Sequence, residues 1–314
     1  MRSQWECLLE NEGDWWGAFD RVDGEGTVQA GNLSFTQLKA TPDRKTIHQQ
    51  VLQFDRSTYP QWEGIDKAAA PWEDWPTVRD IQVTYQSVGQ GLLLLETGAF
   101  SQGALFVGPY SEFGAELGLK VGDRRVRMVQ RYGVQGEAMD LTLIREASSQ
   151  PWFIKAGTPR TPEELLNALE GHWTGTATTV YRDFHFTVSE TALTLERKGN
   201  RLQQRTTFQM GGAPRTLTSS ARIDGPELIF EEMGPRVTVL LLPDGISSNR
   251  PDQRPFRKSF GMELGWMTSD RDRQRLIRRY NEKGEWISLT LIQETKQDRP
   301  TRLSESSMGW SPIS

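Results

Sequence analysis

The sequence repeats itself. Phe113-Gly114-Ala115-Glu116-Leu117-Gly118 returns as Phe260-Gly261-Met262-Glu263-Leu264-Gly265, a spacing of 147. Gly13-Asp14-Trp15-Trp16-Gly17 returns as Gly171-His172-Trp173-Thr174-Gly175, a spacing of 158. Tyr132, Gly136 and Leu141-Thr142-Leu143-Ile144-Arg145-Glu146 return as Tyr280, Gly284 and Leu289-Thr290-Leu291-Ile292-Gln293-Glu294, each at 148. The order is kept and the spacing is nearly constant, so one fold is used twice. The expected layout is a domain over residues 1–150, a breaker-rich linker at 151–160, a second domain over 161–296 and a polar tail from 297 to 314.

Each half opens with a hydroxyl followed three residues later by a carboxylate, Ser3 with Glu6 and Thr161 with Glu164. That is the spacing of a capping box, so short helices are expected over Trp5–Asn11 and Pro162–Leu169. Beyond each helix the pattern turns to period two. Thr46–Phe54, Gln82–Ser87 and Arg201–Phe208 read as strands, and Leu92–Leu95 matches Val239–Leu242. Short strands with frequent turn signals predict an all-β meander, about eight strands per half closing as an antiparallel up-and-down barrel.

Net charge is −4, so no global field draws the chain to nucleic acid. No apolar run has the roughly 18–20 residues of a membrane span, and the start of the chain lacks the apolar stretch of a secretory signal. The lone Cys7 leaves no intramolecular disulfide framework. Together these point to a cytoplasmic, reducing compartment. Cys7 sits beside Leu8 and Leu9 and reads as a small core residue. His48 and His185 have no second ligand at metal spacing, and neither a metal nor a cofactor is expected.

A short helix followed by Gly-x-Trp and a strand meander resembles the opening of a lipocalin, and it occurs here twice. With Phe-Gly-x-Glu-Leu, the arginine-spaced hairpin, Tyr, Gly and Leu-Thr-Leu-Ile-Arg-Glu, the chain resembles an uncharacterised two-domain lipocalin-like (calycin) family of cyanobacteria and plastids. More distantly the barrel is similar to bilin lyases of lipocalin fold. The resemblance implies tandem barrels and a hydrophobic or pigment-like ligand such as a tetrapyrrole, carotenoid or lipid. It also implies that Trp15 and Trp173 plug one end of each barrel. The usual partner of that Trp is a late arginine; Arg145 stands there in the first half, Gln293 in the second.

The sharpest chemical candidate is a charged hairpin. Side chains alternate along a strand, so Arg125, Arg127 and Arg131 share a face, as do Arg273, Arg275 and Arg279. A tight hairpin in favourable register makes Glu116–Arg127 and Glu263–Arg275 cross-strand pairs, with Thr142, Glu146, Thr290 and Glu294 on the same face. Two orientations are open. The tendency of charges to stay wet favours an outer face, with Leu117, Leu119, Met128, Leu141 and Leu143 filling the barrel. The other turns the arginines inward, where their planar forks hold an anionic head group.

Three functions follow: a carrier of a hydrophobic or amphiphilic small molecule, a pigment lyase or isomerase with Tyr132, Tyr280, Glu116 and Glu263 as acid–base groups, or an assembly factor with packed barrels. Trp62, Trp72 and Trp75, in a long proline-rich stretch, are the expected lid or protein-docking loop. Any ligand site is expected mainly in the first half, which alone has that loop and the Arg145 position.

Overall fold

The computed structural model describes residues 2–58, 76–148, 161–209, 214–231 and 235–299. The Trp62, Trp72 and Trp75 loop, the linker at 151–160 and the end of the tail lie outside them. The first half contains α1 (Gln4–Leu9), β1 (Gly13–Val22), β2 (Val28–Ala40), β3 (Ile47–Phe54), β4 (Thr77–Tyr85), β5 (Leu92–Leu94), β6 (Phe100–Gly103), β7 (Phe113–Val121), β8 (Arg124–Tyr132) and β9 (Leu141–Ala147). The second contains α2 (Pro162–Leu169), β10 (Gly171–Tyr181), β11 (Phe186–Lys198), β12 (Arg201–Phe208), β13 (Arg215–Asp224), β14 (Glu227–Phe230), β15 (Val237–Leu242), β16 (Ile246–Pro251), β17 (Phe260–Met267), β18 (Asp272–Tyr280) and β19 (Trp286–Gln297).

Both capping boxes form, Ser3 with Glu6 and Thr161 with Glu164. Each helix lies across one end of its sheet and hands the chain to the Gly-x-Trp segment. The indole N–H of Trp15 donates to the Asn11 carbonyl at 3.0 Å, and that of Trp173 to the Leu169 carbonyl at 2.8 Å. Both rings are buried and close that end, called here the plug end. In each Gly-x-Trp-x-Gly segment the second glycine lets β1 and β10 approach the last strand of their half. A Cβ on Gly17 would lie 2.4 Å from the Arg145 carbonyl oxygen, and one on Gly175 would lie 1.9 Å from that of Gln293.

The halves differ in closure. Ten strands, β10 through β19, form a closed barrel, whereas the nine strands of the first half form a curled sheet with β4 and β5 at its edges. Neither has the expected eight. Equivalent strands show the cause. Leu92 matches Val239, which makes β5 the counterpart of β15, so among the described residues β14 has no equivalent in the first half. In the closed barrel the Leu241 N–H donates to the Pro226 carbonyl at 2.8 Å. At the matching Leu94 a side chain substitutes: the Gln4 amide accepts from its N–H at 2.8 Å and donates to its carbonyl at 3.0 Å. An otherwise open edge is thereby capped from α1.

The two units pack side by side through β6, β7 and β8 on one side and β16, β17 and β18 on the other, related by an approximate two-fold. The Tyr132 hydroxyl donates to the Pro251 carbonyl at 2.8 Å, and the Tyr280 hydroxyl donates to the matching Ala104 carbonyl at 2.9 Å. The Gln130 amide reaches Ser248 Oγ at 3.1 Å, and its counterpart Arg278 reaches Ser101 Oγ at 3.1 Å. Phe113 stacks on Tyr132, Phe260 stacks on Tyr280, and the two pairs meet edge to face. A continuous apolar core fills the interface, including Leu117, Met128 and Leu143 from one side and Met262, Leu264 and Leu276 from the other.

That core corrects the preferred orientation of the charged hairpin. Leu117, Leu119, Met128, Leu141 and Leu143 do not fill the first barrel. They cover its outer wall against the second, and the arginines therefore turn inward.

Candidate functional site

In the first lumen Glu146 is the hub. Arg127 grips it bidentately, Nε to Oε2 at 2.9 Å and Nη2 to Oε1 at 2.8 Å, and Arg125 Nε donates to Oε2 at 2.7 Å. Thr36 Oγ1 donates to Oε1 at 3.1 Å, and Arg127 Nη1 reaches Glu116 Oε1 at 2.6 Å. The Glu116–Arg127 contact is made, but in a register displaced by two residues from the expected one. Glu116 lies opposite Val129 and Arg127 opposite Gly118, so the pair meets diagonally on the same face. The second lumen repeats the plan. Arg273 Nη2 donates to Glu294 Oε2 at 2.6 Å, Arg275 Nε donates to Glu263 Oε1 at 2.7 Å, and Asn249 Nδ2 donates to Glu263 Oε2 at 3.2 Å.

Burial alone would raise the Glu146 carboxyl, but Arg125 and Arg127 override it and hold the group down at about 2. Burial opposes ionisation of Glu294 as well, and Arg273 and Arg275 pull it below the usual carboxylate range. A carboxylate lowered in this way contributes stability above its unfolded value of 4.5, and that stability is lost as the pH falls toward 2. Denaturant midpoints are therefore expected to drop steeply between about pH 4.5 and 2. A flat profile through that window would contradict a buried, ionised Glu146.

The plug tryptophans find their cations on the hairpin. The Arg125 guanidinium lies 4.4 Å from the Trp15 ring centroid, and that of Arg273 lies 5.1 Å from Trp173. Arg145, expected in that role, stands opposite Ala18 on the other face of the sheet. There it bridges Asp20 at 2.7 Å and Asp244 of the second unit at 2.6 Å. Arg131 and Arg279 are exposed at the ends of their strands and take no part in the lumen clusters. Tyr132 and Tyr280 belong to the interface. Burial pushes both phenols above their ordinary value, and both hydroxyls are engaged by carbonyls, which is unsuited to proton transfer. Burial also pushes the Cys7 thiol up to about 11, as an inert core residue. Among the described residues no group of three or more His, Cys, Asp or Glu side chains is placed to hold a metal.

The lumens differ in room. The first keeps about 50 Å³ and the second about 270 Å³. Strand register explains this. Tyr85 pairs with Ile47 in the first sheet as Ala221 pairs with Leu202 in the second. Phe100 pairs with Gly118 as Ser247 pairs with Gly265. Two aromatic rings in the first lumen thus become a methyl and a hydroxymethyl in the second. Leu169 and Leu193 replace Asn11 and Thr36, so the larger lumen is also more apolar near its plug. A vestibule of about 320 Å³, lined by Pro235, Pro255, Ser259 and Ile277, shares Phe230, Val237, Asn249 and Glu263 with it at the opposite end. Among the described residues the roomier lumen is that of the half without the Trp-rich loop, whereas the sequence expectation put any ligand site mainly in the first half.

A solved protein of unknown function from the DUF3598 family of Nostoc punctiforme is 37% identical over 95% of this chain and 100% of its own, with a TM-score of 0.79. The chain belongs to the DUF3598 family. The family model described as domain of unknown function DUF3598, N-terminal, matches residues 1–151 of this DUF3598 protein. Residues 160–297 match the model described as biogenesis factor required for ATP synthase 1, C-terminal domain. An S-type phycobiliprotein lyase from Guillardia theta is 8% identical over 45% of this chain and 94% of its own, with a TM-score of 0.39. That likeness is too slight to carry an argument about activity. No curated protein matches the chain.

The residues that shape the site went largely unmarked in the sequence. Glu146 and Glu294 lie on the expected hairpin face and the repeat preserves both, but nothing in the sequence marks them as its hubs. Ala221 and Ser247 carry no motif. They stand out only when the two halves are aligned strand by strand.

Proposed function

We propose that this DUF3598 protein binds a hydrophobic or amphiphilic small molecule in the lumen of its second barrel. The supporting observation is the replacement of Tyr85 and Phe100 by Ala221 and Ser247, which leaves about 270 Å³ where the first half is nearly filled. Leu193, Leu195, Leu202 and Leu228 line one wall, with Glu263, Arg273, Arg275 and Asn249 on the other. The guanidinium groups are matched by the protein's own carboxylates, so the polar wall meets an amphiphile's head group with hydrogen bonds and carries no unpaired cation. The first barrel, in this reading, is a structural partner. A fluorescent fatty acid titrated into the delipidated chain should bind saturably, with energy transfer from the buried tryptophans. Absence of saturable signal would sink the proposal.

A second reading, a biogenesis factor acting on ATP synthase, is favoured by the family match over residues 160–297. It predicts that synthase subunits co-purify with a tagged full-length chain and continue to do so when the second lumen is filled by mutation. Loss of co-purification on filling the lumen would tie assembly to the ligand instead.

A further inference from the structure

Along the side-by-side interface like ends of the two units meet: near the plug ends the Arg124 guanidinium lies 5.4 Å from the Trp266 ring centroid, and equivalent loops meet at the ends opposite α1 and α2. The Val107 N–H donates to the Gly284 carbonyl at 2.8 Å, and the Arg254 N–H donates to the matching Gly136 carbonyl at 2.7 Å. Both rims therefore lie on one face of the molecule. The exposed large apolar side chains lie on that same face. Val78 begins β4, Phe106 and Tyr110 lie between β6 and β7, and Val134 lies between β8 and β9. On the second unit, Phe184 tips the β10–β11 turn, Phe186 and Val188 begin β11, Leu217 begins β13, and Phe256 lies between β16 and β17. Among the described residues, the plug end carries none. Its turns instead expose charges, including Asp43, Arg44, Lys45, Asp270 and Arg271.

We propose that this rim face docks on a lipid bilayer containing anionic lipid. Three observations favour a bilayer over a shaped protein partner. The apolar side chains are spread over several loops and strand starts around two rims, suiting a soft, planar surface better than a complementary pocket. Around the second rim an exposed cation neighbours the apolar tips: Arg182 near Phe184, Arg215 near Leu217, and Arg257 with Lys258 beside Phe256. The Arg257 guanidinium lies 5.2 Å from the Phe256 ring centroid. That pairing of rings and cations suits the boundary between acyl chains and anionic headgroups. Tyr110 and Phe184 also hold left-handed backbone conformations, φ 59° and 66°, which bulky residues disfavour. Both rings point to solvent where glycine or asparagine would be the unstrained choice. Resting on the ligand-binding reading, the docked face opens the vestibule of the second barrel onto the membrane, so an amphiphile enters without crossing water.

Flotation of the full chain with vesicles of phosphatidylcholine mixed with phosphatidylglycerol tests this. The wild-type chain should float. Combining Tyr110→Ser, Phe184→Ser and Phe256→Ser should weaken vesicle binding by ~10-fold or more, with an unchanged thermal midpoint and unchanged affinity for the soluble fatty-acid probe. A wild-type chain that stays with the lipid-free fraction, or a triple variant that floats equally well, overturns the proposal and leaves the rim to a protein partner. A lumen-filled variant that still floats supports docking even where probe binding fails, so the two readings fail separately.

Discussion

Glu146→Gln is expected to destabilise the protein by about 3–5 kcal/mol, the usual consequence of removing one member of a buried ion cluster. The side chain is fully buried and holds Arg125 and Arg127, themselves 3% and 7% exposed. A neutral amide leaves two guanidinium groups in the lumen with a single remaining carboxylate, Glu116. The cost is therefore the desolvation of unmatched charge more than the loss of two hydrogen bonds. Glu116→Gln should cost clearly less, because its side chain is 23% exposed and meets Arg127 alone. Denaturant unfolding of the two variants gives the comparison. A loss under about 1 kcal/mol for Glu146→Gln would place the cluster in water and contradict its burial.

Ala221→Tyr combined with Ser247→Phe should lower affinity for a fatty-acid probe by ~100-fold or more, because the two rings rebuild the packing of the first lumen inside the second. The protein should tolerate them. A Cβ on Gly118 would lie 2.3 Å from the Phe100 ring, so that glycine is what admits the ring, and Gly265 stands ready at the matching position. The reverse pair, Tyr85→Ala with Phe100→Ser, opens the first lumen, and because both rings are only half-buried each deletion should cost less than the about 3–5 kcal/mol of a fully buried ring. Unchanged probe binding in the filled variant would move the ligand site out of the lumen.

The repeated motifs made the architecture legible. They predicted two units of one kind, capped helices that form as expected, and the strand alternation that puts Arg125, Arg127 and Glu146 on one face. Alternation does not say which face turns inward. That choice usually follows the apolar side chains, but both faces of β7 and β8 are covered here. The second barrel buries Leu117 and Met128, while the lumen buries the arginines in pairs with carboxylates. The missing strand was equally hidden. Gln4, an ordinary helix residue in sequence, caps the edge where β14 would otherwise lie. Arg145 fits the late-arginine position of the lipocalin pattern, but its parity along β9 points it at Asp244 and away from Trp15.

The near two-fold between the units has a consequence for the linked chain. A surface that pairs with its own equivalent is self-complementary, so each half carries most of what it needs to associate with a copy of itself. Severed halves would meet only as often as their concentration allowed, and would choose among like and unlike partners. Joined in one polypeptide, the unlike pair meets at an effective concentration set by the connection and not by the solution. Dilution cannot part them. Gln130 and Arg278, free of any demand to match, diverge at equivalent positions of a contact that no longer has to be symmetric.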